Sequence, residues 1–458
     1  MNLSDKNIVV VGLGRTGIAA ARFLAASGAR VSITDARPAE AFGNHIRELE
    51  QLGVQLDLGG HDEQRFKGAD LIVISPGVPH TIAPVQSAAD MGIPVIGEVE
   101  LAYRFIQTPI VAITGTNGKT TTTELTGKML EASGKKVFVG GNIGKPLISY
   151  VGGKDKADVI VAEISSFQTD TMIDFTPRVG VLLNLAEDHM DRYPDFSAYA
   201  NSKARLFKNQ GPEDIAVYNT GDPFVRELCA GVNGLQYGFC RLADSAEATT
   251  AASALVAKDH IRITIPGSAA ERIDLARTGL IGQHNHENIA AAALAALAAG
   301  ASMGDIQSAV DRFKGLPHRM ELVGTVEGVS YINDSKGTNM EAVIRALHCF
   351  DAPVVLIMGG LNKGNDFSRM ADVVRQHVKK LVVIGQAADE IRNSLADACV
   401  GGCRRAGSMA DAVQQSAAIA TAGDTVLLSP GCASFDMYDN YGQRGDDFRQ
   451  QVTGLASS

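Results

Sequence analysis

Ile110-Val111-Ala112-Ile113-Thr114-Gly115-Thr116-Asn117-Gly118-Lys119-Thr120-Thr121-Thr122 runs from a β-branched stretch through a glycine turn into a Gly-Lys-Thr step that opens a helical segment. The run predicts a buried strand at Ile110–Thr114, and the loop after it presents successive backbone N–H groups. Those groups, with the Lys119 ammonium, suit a polyphosphate, while the Thr120 hydroxyl suits Mg²⁺. The loop departs from the general GxxxxGK[ST] pattern, because Ile113 stands at the first glycine position and Gly115 lies inside the loop. A purely structural turn is the weaker reading, since Asn117-Gly118-Lys119-Thr120 keeps every phosphate-facing feature.

Outward from this loop the chain repeats the strand-then-helix rhythm. Toward the N-terminus come Ile8–Val11, Thr16–Ser27, Val31–Thr34, Leu71–Ile74 and Pro94–Ile96; toward the C-terminus, Val159–Glu163, Val179–Leu183, the alanine-rich Ile289–Gly300, then Pro353–Met358, Leu381–Ile384 and Thr425–Leu428. Parallel strands with helical crossovers follow, an α/β fold. At 458 residues the chain fits about three domains of roughly 150 residues each. A break at Thr108-Pro109 and another at Lys314-Gly315-Leu316-Pro317 divide it into 1–105, 106–315 and 316–458. Hydrophobic residues at 45% and charged ones at 20% exclude wholesale disorder. The 42 basic and 51 acidic residues leave a net charge of −9, which argues against nucleic acid and anionic membranes as partners, so an anionic ligand must meet local positive groups. Six scattered cysteines make neither a disulfide framework nor a zinc site, and the N-terminus resembles neither a signal peptide nor a membrane span; a cytoplasmic protein with reduced thiols is expected.

Further polar clusters follow strand-like runs. Gly12-Leu13-Gly14-Arg15-Thr16-Gly17 succeeds Ile8–Val11, and Asp35 closes the next strand. This is a dinucleotide-type turn, which serves NAD, other nucleotides or packing alone. Glu163 ends a strand, where α/β proteins bind ligands, and Glu187-Asp188-His189-Met190-Asp191 precedes Lys203. A lone histidine or a helical lysine is ordinarily structural or solvated, and only the phosphate loop makes His189 a contender. Gly282–Asn288 and Leu316–Glu321 could be caps and surface charge. Asn333–Asn339, Gly359–Lys363 and Ser429–Asp436 are Gly-bearing loops that suggest one shared ligand edge.

In this order the motifs resemble the ATP-dependent Mur ligases of peptidoglycan synthesis, and the likeness runs from Gly12 to Gly445. Asp35-Ala36-Arg37, Ser75-Pro76-Gly77-Val78-Pro79 and the two loops containing Asp334 and Ser434 look like the D-glutamate-adding branch. Small departures are Gly431 and Tyr441, where the family often has Ala and Phe. A folylpolyglutamate synthase-like enzyme would lack the first domain, and an NAD oxidoreductase would leave everything after Ile110 unexplained. The resemblance implies a Rossmann-like N-terminal domain holding the UDP end of UDP-MurNAc-L-Ala, a central P-loop ATPase-like domain, and a Rossmann-like C-terminal domain for D-glutamate. It implies ATP and two Mg²⁺ ions, an acyl-phosphate route, and a monomer is expected. By the same resemblance, Gly115, Thr116, Asn117, Gly118, Lys119, Thr120, Thr121, Asn285, Asn288, Arg319 and Asp334 hold ATP. Thr120, Glu163, His189 and a carbamylated Lys203 hold metal, and Lys119, His189 and Lys203 are catalytic. Gly14, Arg15, Thr16, Asp35, Arg37, Ser75 and Asn142 take the UDP substrate, and Lys336, Thr338, Lys363, Ser434 and Phe435 take D-glutamate.

Overall fold

The computed structural model describes residues 1–43, 45–154, 156–190, 192–244 and 250–455. Three sheets account for the strands, and the chain divides into two compact units. The first unit, 1–276 with 287–311, contains two sheets, and the second, 277–286 with 312–458, contains the third.

The first sheet is parallel, in the order Gln55–Leu58, Arg30–Asp35, Asn7–Val11, Leu71–Ile74, Val95–Gly97. Its order reverses beside Asn7–Val11, and such a reversal opens a crevice at the carboxyl ends of the strands. The turn Gly12–Gly17 lies there. A Cβ on Gly17 would strike the Gly12 carbonyl oxygen, and Gly12 itself sits at φ 98°, so both glycines are required by close packing of the turn against the following helix, Arg15–Ala26.

The second sheet has nine strands. Val137–Gly141, Val159–Glu163, Ile110–Thr114, Val179–Leu182, Ile215–Asn219, Leu235–Arg241 and Ala252–Val256 are parallel, and His260–Thr264 and Glu271–Asp274 add an antiparallel edge. Ile110–Thr114 lies inside the sheet, with two strands beyond it on one side, and is wholly buried, as a mainly β-branched apolar run paired on both sides should be. One hydrophobic core continues from the first sheet into the second, from Leu24 and Leu101 to Ile148, Ile160 and Phe175. Across the same junction Glu100, fully buried, accepts the backbone N–H groups of Ile173, Asp174 and Phe175 at 3.0–3.2 Å and the Arg104 guanidinium at 3.0 Å. Glu98 accepts Ile148 N–H at 2.6 Å, its second oxygen is buried without a partner, and burial pushes its pKa up to about 7.

In the second unit the hairpin Glu321–Val326/Val329–Asn333 leads into parallel strands Thr425–Leu428, Val354–Gly359, Val378–Ile384 and Cys403–Arg405, in that spatial order. The three chain segments singled out as a ligand edge all leave the carboxyl ends of neighbouring strands: Asn333, Gly359 and Leu428 are the last residues of theirs. All six cysteines are free, four of them buried. Among the described residues no helix is long and apolar enough to cross a membrane.

Candidate active site

The phosphate loop joins the strand Ile110–Thr114 to the helix Lys119–Ala132. Gly118 has φ 86°, and a Cβ there would collide with the side chain of Asn288, so this position needs glycine on two counts. Lys119 Nζ turns back onto its own loop, donating to the carbonyl oxygens of Gly115 at 2.8 Å and Thr116 at 2.7 Å. Asn184 braces the loop by accepting Asn117 N–H and donating to its carbonyl. Thr116 and Thr121 are buried.

Glu163 ends the neighbouring strand, only 2 % exposed. Its two carboxylate oxygens receive hydrogen bonds from Thr120 Oγ1 and from Asn142 Nδ2, each at 2.8 Å. Asn142, expected on the muramoyl substrate, is thus tied to Glu163, and its backbone N–H also donates to the Glu163 carbonyl at 2.9 Å. A hydroxyl and a carboxylate side by side form the hard, all-oxygen donor pair that Mg²⁺ prefers, so these residues fit that ion.

Lys203 approaches the same loop from another direction. Asp195 caps the helix Phe196–Ala204, and Lys203 lies in its last turn, favourable for a cation. Yet its side chain is buried, 2 % exposed, with Nζ donating to Gly115 O at 2.8 Å and lying over the Tyr199 ring at 4.7 Å. Burial, then repulsion from Lys119, holds its pKa well below that of an ordinary lysine. The reading of a solvated helical lysine is excluded. Tyr199 hydrogen-bonds Thr116 Oγ1 at 3.0 Å, so one turn of this helix fixes the loop twice.

His189 has a backbone φ of 58°, uncommon for a residue with a side chain, and its ring packs on Phe167 and, more distantly, Tyr199. Asp191 lies outside the described residues. Arg192 stacks over Phe167 and donates to Gly77 O at 3.4 Å, which brings this segment to the loop Ser75–Pro79 of the first sheet.

In that first sheet Asp35 is occupied internally. One oxygen accepts Leu13 N–H at 2.8 Å and the Arg37 side chain and backbone make three further bonds. Burial opposes ionisation, but these hydrogen bonds outweigh it and take the pKa down to about 2. Asp35 therefore shapes the glycine turn. Ser75 Oγ donates to Gly12 O at 3.0 Å; Gly14 and Arg15 are exposed and Thr16 half-buried at the mouth of the turn.

In the second unit Asn285 Nδ2 donates to Ile281 O at 2.7 Å. Arg319 lies between two residues of positive φ, His318 at 63° and Met320 at 48°. Asp334 is buried, accepts Ser429 Oγ at 2.8 Å, and has its pKa raised by burial to about 7. Lys336 Nζ lies 4.0 Å from the Tyr441 ring centre and Lys363 Nζ 5.6 Å from that of Phe435. Thr338 is half-buried and Ser434 buried, whereas Lys363 and Phe435 are exposed. Arg444, which sequence reasoning passed over, is 2 % exposed and bonded to all three loops of this edge.

A polyphosphate-type loop flanked by a carboxylate, in a unit that also carries a glycine-turn sheet, defines an α/β protein of the P-loop nucleotide-binding class, and the second unit adds a sheet with polar loops at its carboxyl edge. Residues 6–97 match the Mur ligase MurD-like N-terminal domain, residues 113–296 the Mur ligase middle domain, and residues 318–432 the Mur ligase, glutamate ligase domain. The chain belongs to the Mur ligase family. It is 50% identical over 458 residues to the UDP-N-acetylmuramoylalanine--D-glutamate ligase of Desulfatibacillum aliphaticivorans, covering 99% of this chain and 100% of that one. It is 47% identical to the protein of that name from Desulfosudis oleivorans, over 98% and 97% of the two chains. Among solved structures it is similar in fold to a pseudomurein peptide ligase type C from Methanothermus fervidus, with TM-score 0.62 and 21% identity over 98% of this chain and 100% of that one.

Proposed function

We propose that this protein joins D-glutamate to the L-alanyl carboxylate of UDP-N-acetylmuramoyl-L-alanine, with ATP converted to ADP and phosphate, in peptidoglycan precursor synthesis. The observation that carries the reading is full-length identity of about half to ligases of that name. The convergence of Lys119, Thr120, Glu163 and Lys203 on one loop supports it with chemistry.

A carboxylate is a poor acyl donor, so the route passes through an acyl phosphate that the amine of D-glutamate attacks. Both partners in the first step are anions, and their repulsion in a poorly solvated cleft amounts to several kcal/mol, on the order of what a positioned cation offsets. Lys119 leaves the carbonyls of Gly115 and Thr116 for the phosphates when ATP enters. Mg²⁺, when bound, adds positive charge there; Thr120 and Glu163 would hold one ion, and His189 with a carbamylated Lys203 a second. Asn142 orients Glu163 and faces the substrate side. Asn285, Asn288, Arg319 and Asp334 contact the nucleotide. The turn from Gly14 to Thr16, with Arg37 and Ser75, takes the uridine diphosphate end. Lys336 and Lys363, with Thr338, Ser434 and Phe435, take the two carboxylates of D-glutamate; point charges suffice where no bidentate fork is needed. In this reading the domains span 1–105, 106–315 and 316–458, and the enzyme works as a cytoplasmic monomer.

The test is product mass and nucleotide stoichiometry with ATP, Mg²⁺, UDP-MurNAc-L-Ala and D-glutamate. One glutamyl residue gained per ADP released is expected. ADP release indifferent to D-glutamate, or saturable NAD binding competed by UDP-MurNAc, would overturn the assignment.

A further inference from the structure

Arg444 stands in the first turn of the helix Tyr441–Leu455, and its guanidinium is buried beneath the carboxyl edge of the third sheet. Nε donates to Ser335 Oγ at 3.0 Å, and Nη2 to Ser335 O at 2.9 Å and Cys432 O at 3.1 Å. Nη1 donates to Ala433 O at 3.3 Å and Gly359 O at 3.5 Å. Ser335 and Cys432 lie in the loops that follow two of the strands, and Gly359 is the last residue of a third, where the loop after it begins. No carboxylate among the described residues lies within ion-pair distance of this guanidinium, and every acceptor is a neutral oxygen. Burial lowers its pKa only to about 10, so it is charged at neutral pH. The Ser335 hydroxyl passes the connection on, donating to Tyr441 O at 2.8 Å, while the Tyr441 ring lies under the ammonium of Lys336.

Asp436 and Asp334 favour this charge only from beyond ion-pair distance, and a buried charge without a direct partner is costly unless hydrogen bonds offset it. Five donors in a rigid plane can fix the relative positions of three loops, which an ammonium with three donors on a flexible stem cannot reproduce. We infer that Arg444 is a positioning residue for the amino-acid substrate: its guanidinium ties the loops after Asn333, Gly359 and Leu428 into one pocket edge and lends that edge a positive charge reserved for an incoming dicarboxylate. The role rests on the D-glutamate reading for its substrate, and not for its geometry.

The full-length enzyme with Arg444→Lys and Arg444→Met provides the test, by steady-state kinetics and by amide hydrogen exchange without substrates. Arg444→Lys should raise the KM for D-glutamate by about tenfold or more while the KM for ATP moves less than about twofold. Arg444→Met, lacking charge as well as geometry, should raise it further. Exchange should accelerate together in 334–338, 360–363 and 429–434 of the Lys variant, by about tenfold, with the remaining sheet unchanged. Unchanged exchange in those three loops would overturn the tie whatever the substrate proves to be. Accelerated exchange with equal rises in both KM values would overturn the substrate-directed charge. Variants unfolded at 20 °C would make Arg444 a general structural residue and also overturn the proposal. Failure of the wild-type enzyme to use D-glutamate would overturn the substrate reading separately, leaving the exchange result to judge the tie.

Discussion

Lys119 and Lys203 share one acceptor: the Nζ atoms of both lie 2.8 Å from the carbonyl oxygen of Gly115. Burial first, and then the repulsion between two ammonium groups converging on one oxygen, hold the Lys203 pKa well below that of an ordinary lysine and so ease loss of its proton. The neutral amine is also the form that reacts with CO₂, so the geometry and the proposed carbamate are chemically compatible.

Replacing Lys203 by Met should abolish ligation yet leave the protein as stable as, or more stable than, the wild type near pH 7. The unfolded chain keeps the lysine proton up to its ordinary value of 10.5, whereas the folded chain releases it lower. Between those two values the unfolded state binds more protons, so wild-type stability from this group rises with pH. Thermal unfolding from pH 6 to 10 checks this: the advantage of Lys203→Met must shrink as pH rises. An advantage that grows would refute the buried-amine account.

Lys119→Ala should fold normally and lose turnover by roughly 10²–10³, corresponding to ~3–4 kcal/mol of transition-state stabilisation. Its bonds to Gly115 and Thr116 stay within the loop, so little tertiary structure depends on them. ADP release within about tenfold of the wild type, in a variant with unchanged melting, would remove Lys119 from the phosphate site.

Glu98→Gln should stabilise the protein above neutrality. The Glu98 pKa rises from 4.5 to about 7 on folding, because of burial, so the folded carboxyl takes up a proton that the unfolded one has lost. The penalty grows from pH 4.5 to about 7 and then levels off, and glutamine avoids it while keeping an oxygen for Ile148 N–H. Melting temperatures at pH 5 and pH 8 should differ between variant and wild type mainly at pH 8.

Lys363→Ala should raise the KM for D-glutamate far more than that for ATP, since stranding one substrate carboxylate costs ~2–5 kcal/mol in binding. Lys363 is exposed, and among the described residues its ammonium lies near only the Phe435 ring, 5.6 Å from its centre, so melting should not change. Equal effects on both substrates would move this lysine out of the amino-acid pocket.

The parts of the molecule legible from sequence are those whose reason is local. The strand Ile110–Thr114 and its loop announce themselves by β-branched residues, glycine and lysine within thirteen positions. The edge strands His260–Thr264 and Glu271–Asp274 do not, because a short half-exposed strand shows only a few alternations. Burial of Lys203 is invisible to helical periodicity, since the aromatic ring and the carbonyl that enclose it come from packing. The tie from Asn142 to a carboxylate 21 residues away is likewise invisible along the chain. Arg444 is the extreme case: its bonds span up to 109 residues, and an isolated arginine near a helix start reads as surface charge. Asp35 bonds Leu13 and Arg37, a bracing role that the sequence does not display, because one carboxylate can serve a ligand or a turn with identical chemistry.

The short helix Glu98–Tyr103 closes the first sheet in sequence, yet both of its inward carboxylates satisfy backbone belonging to the second: Glu98 at Ile148, and Glu100 at residues 173–175. A gene cut after residue 105 would release a polypeptide carrying two acids shaped to receive amides that it no longer possesses. Expressed alone, that fragment would expose the apolar seam around Leu101 and face solvent with a surface selected for the interior. Exchanging the first hundred residues between relatives is therefore an exchange of half a lock, and a working hybrid must import its loops around 148 and 173–175 from the same parent.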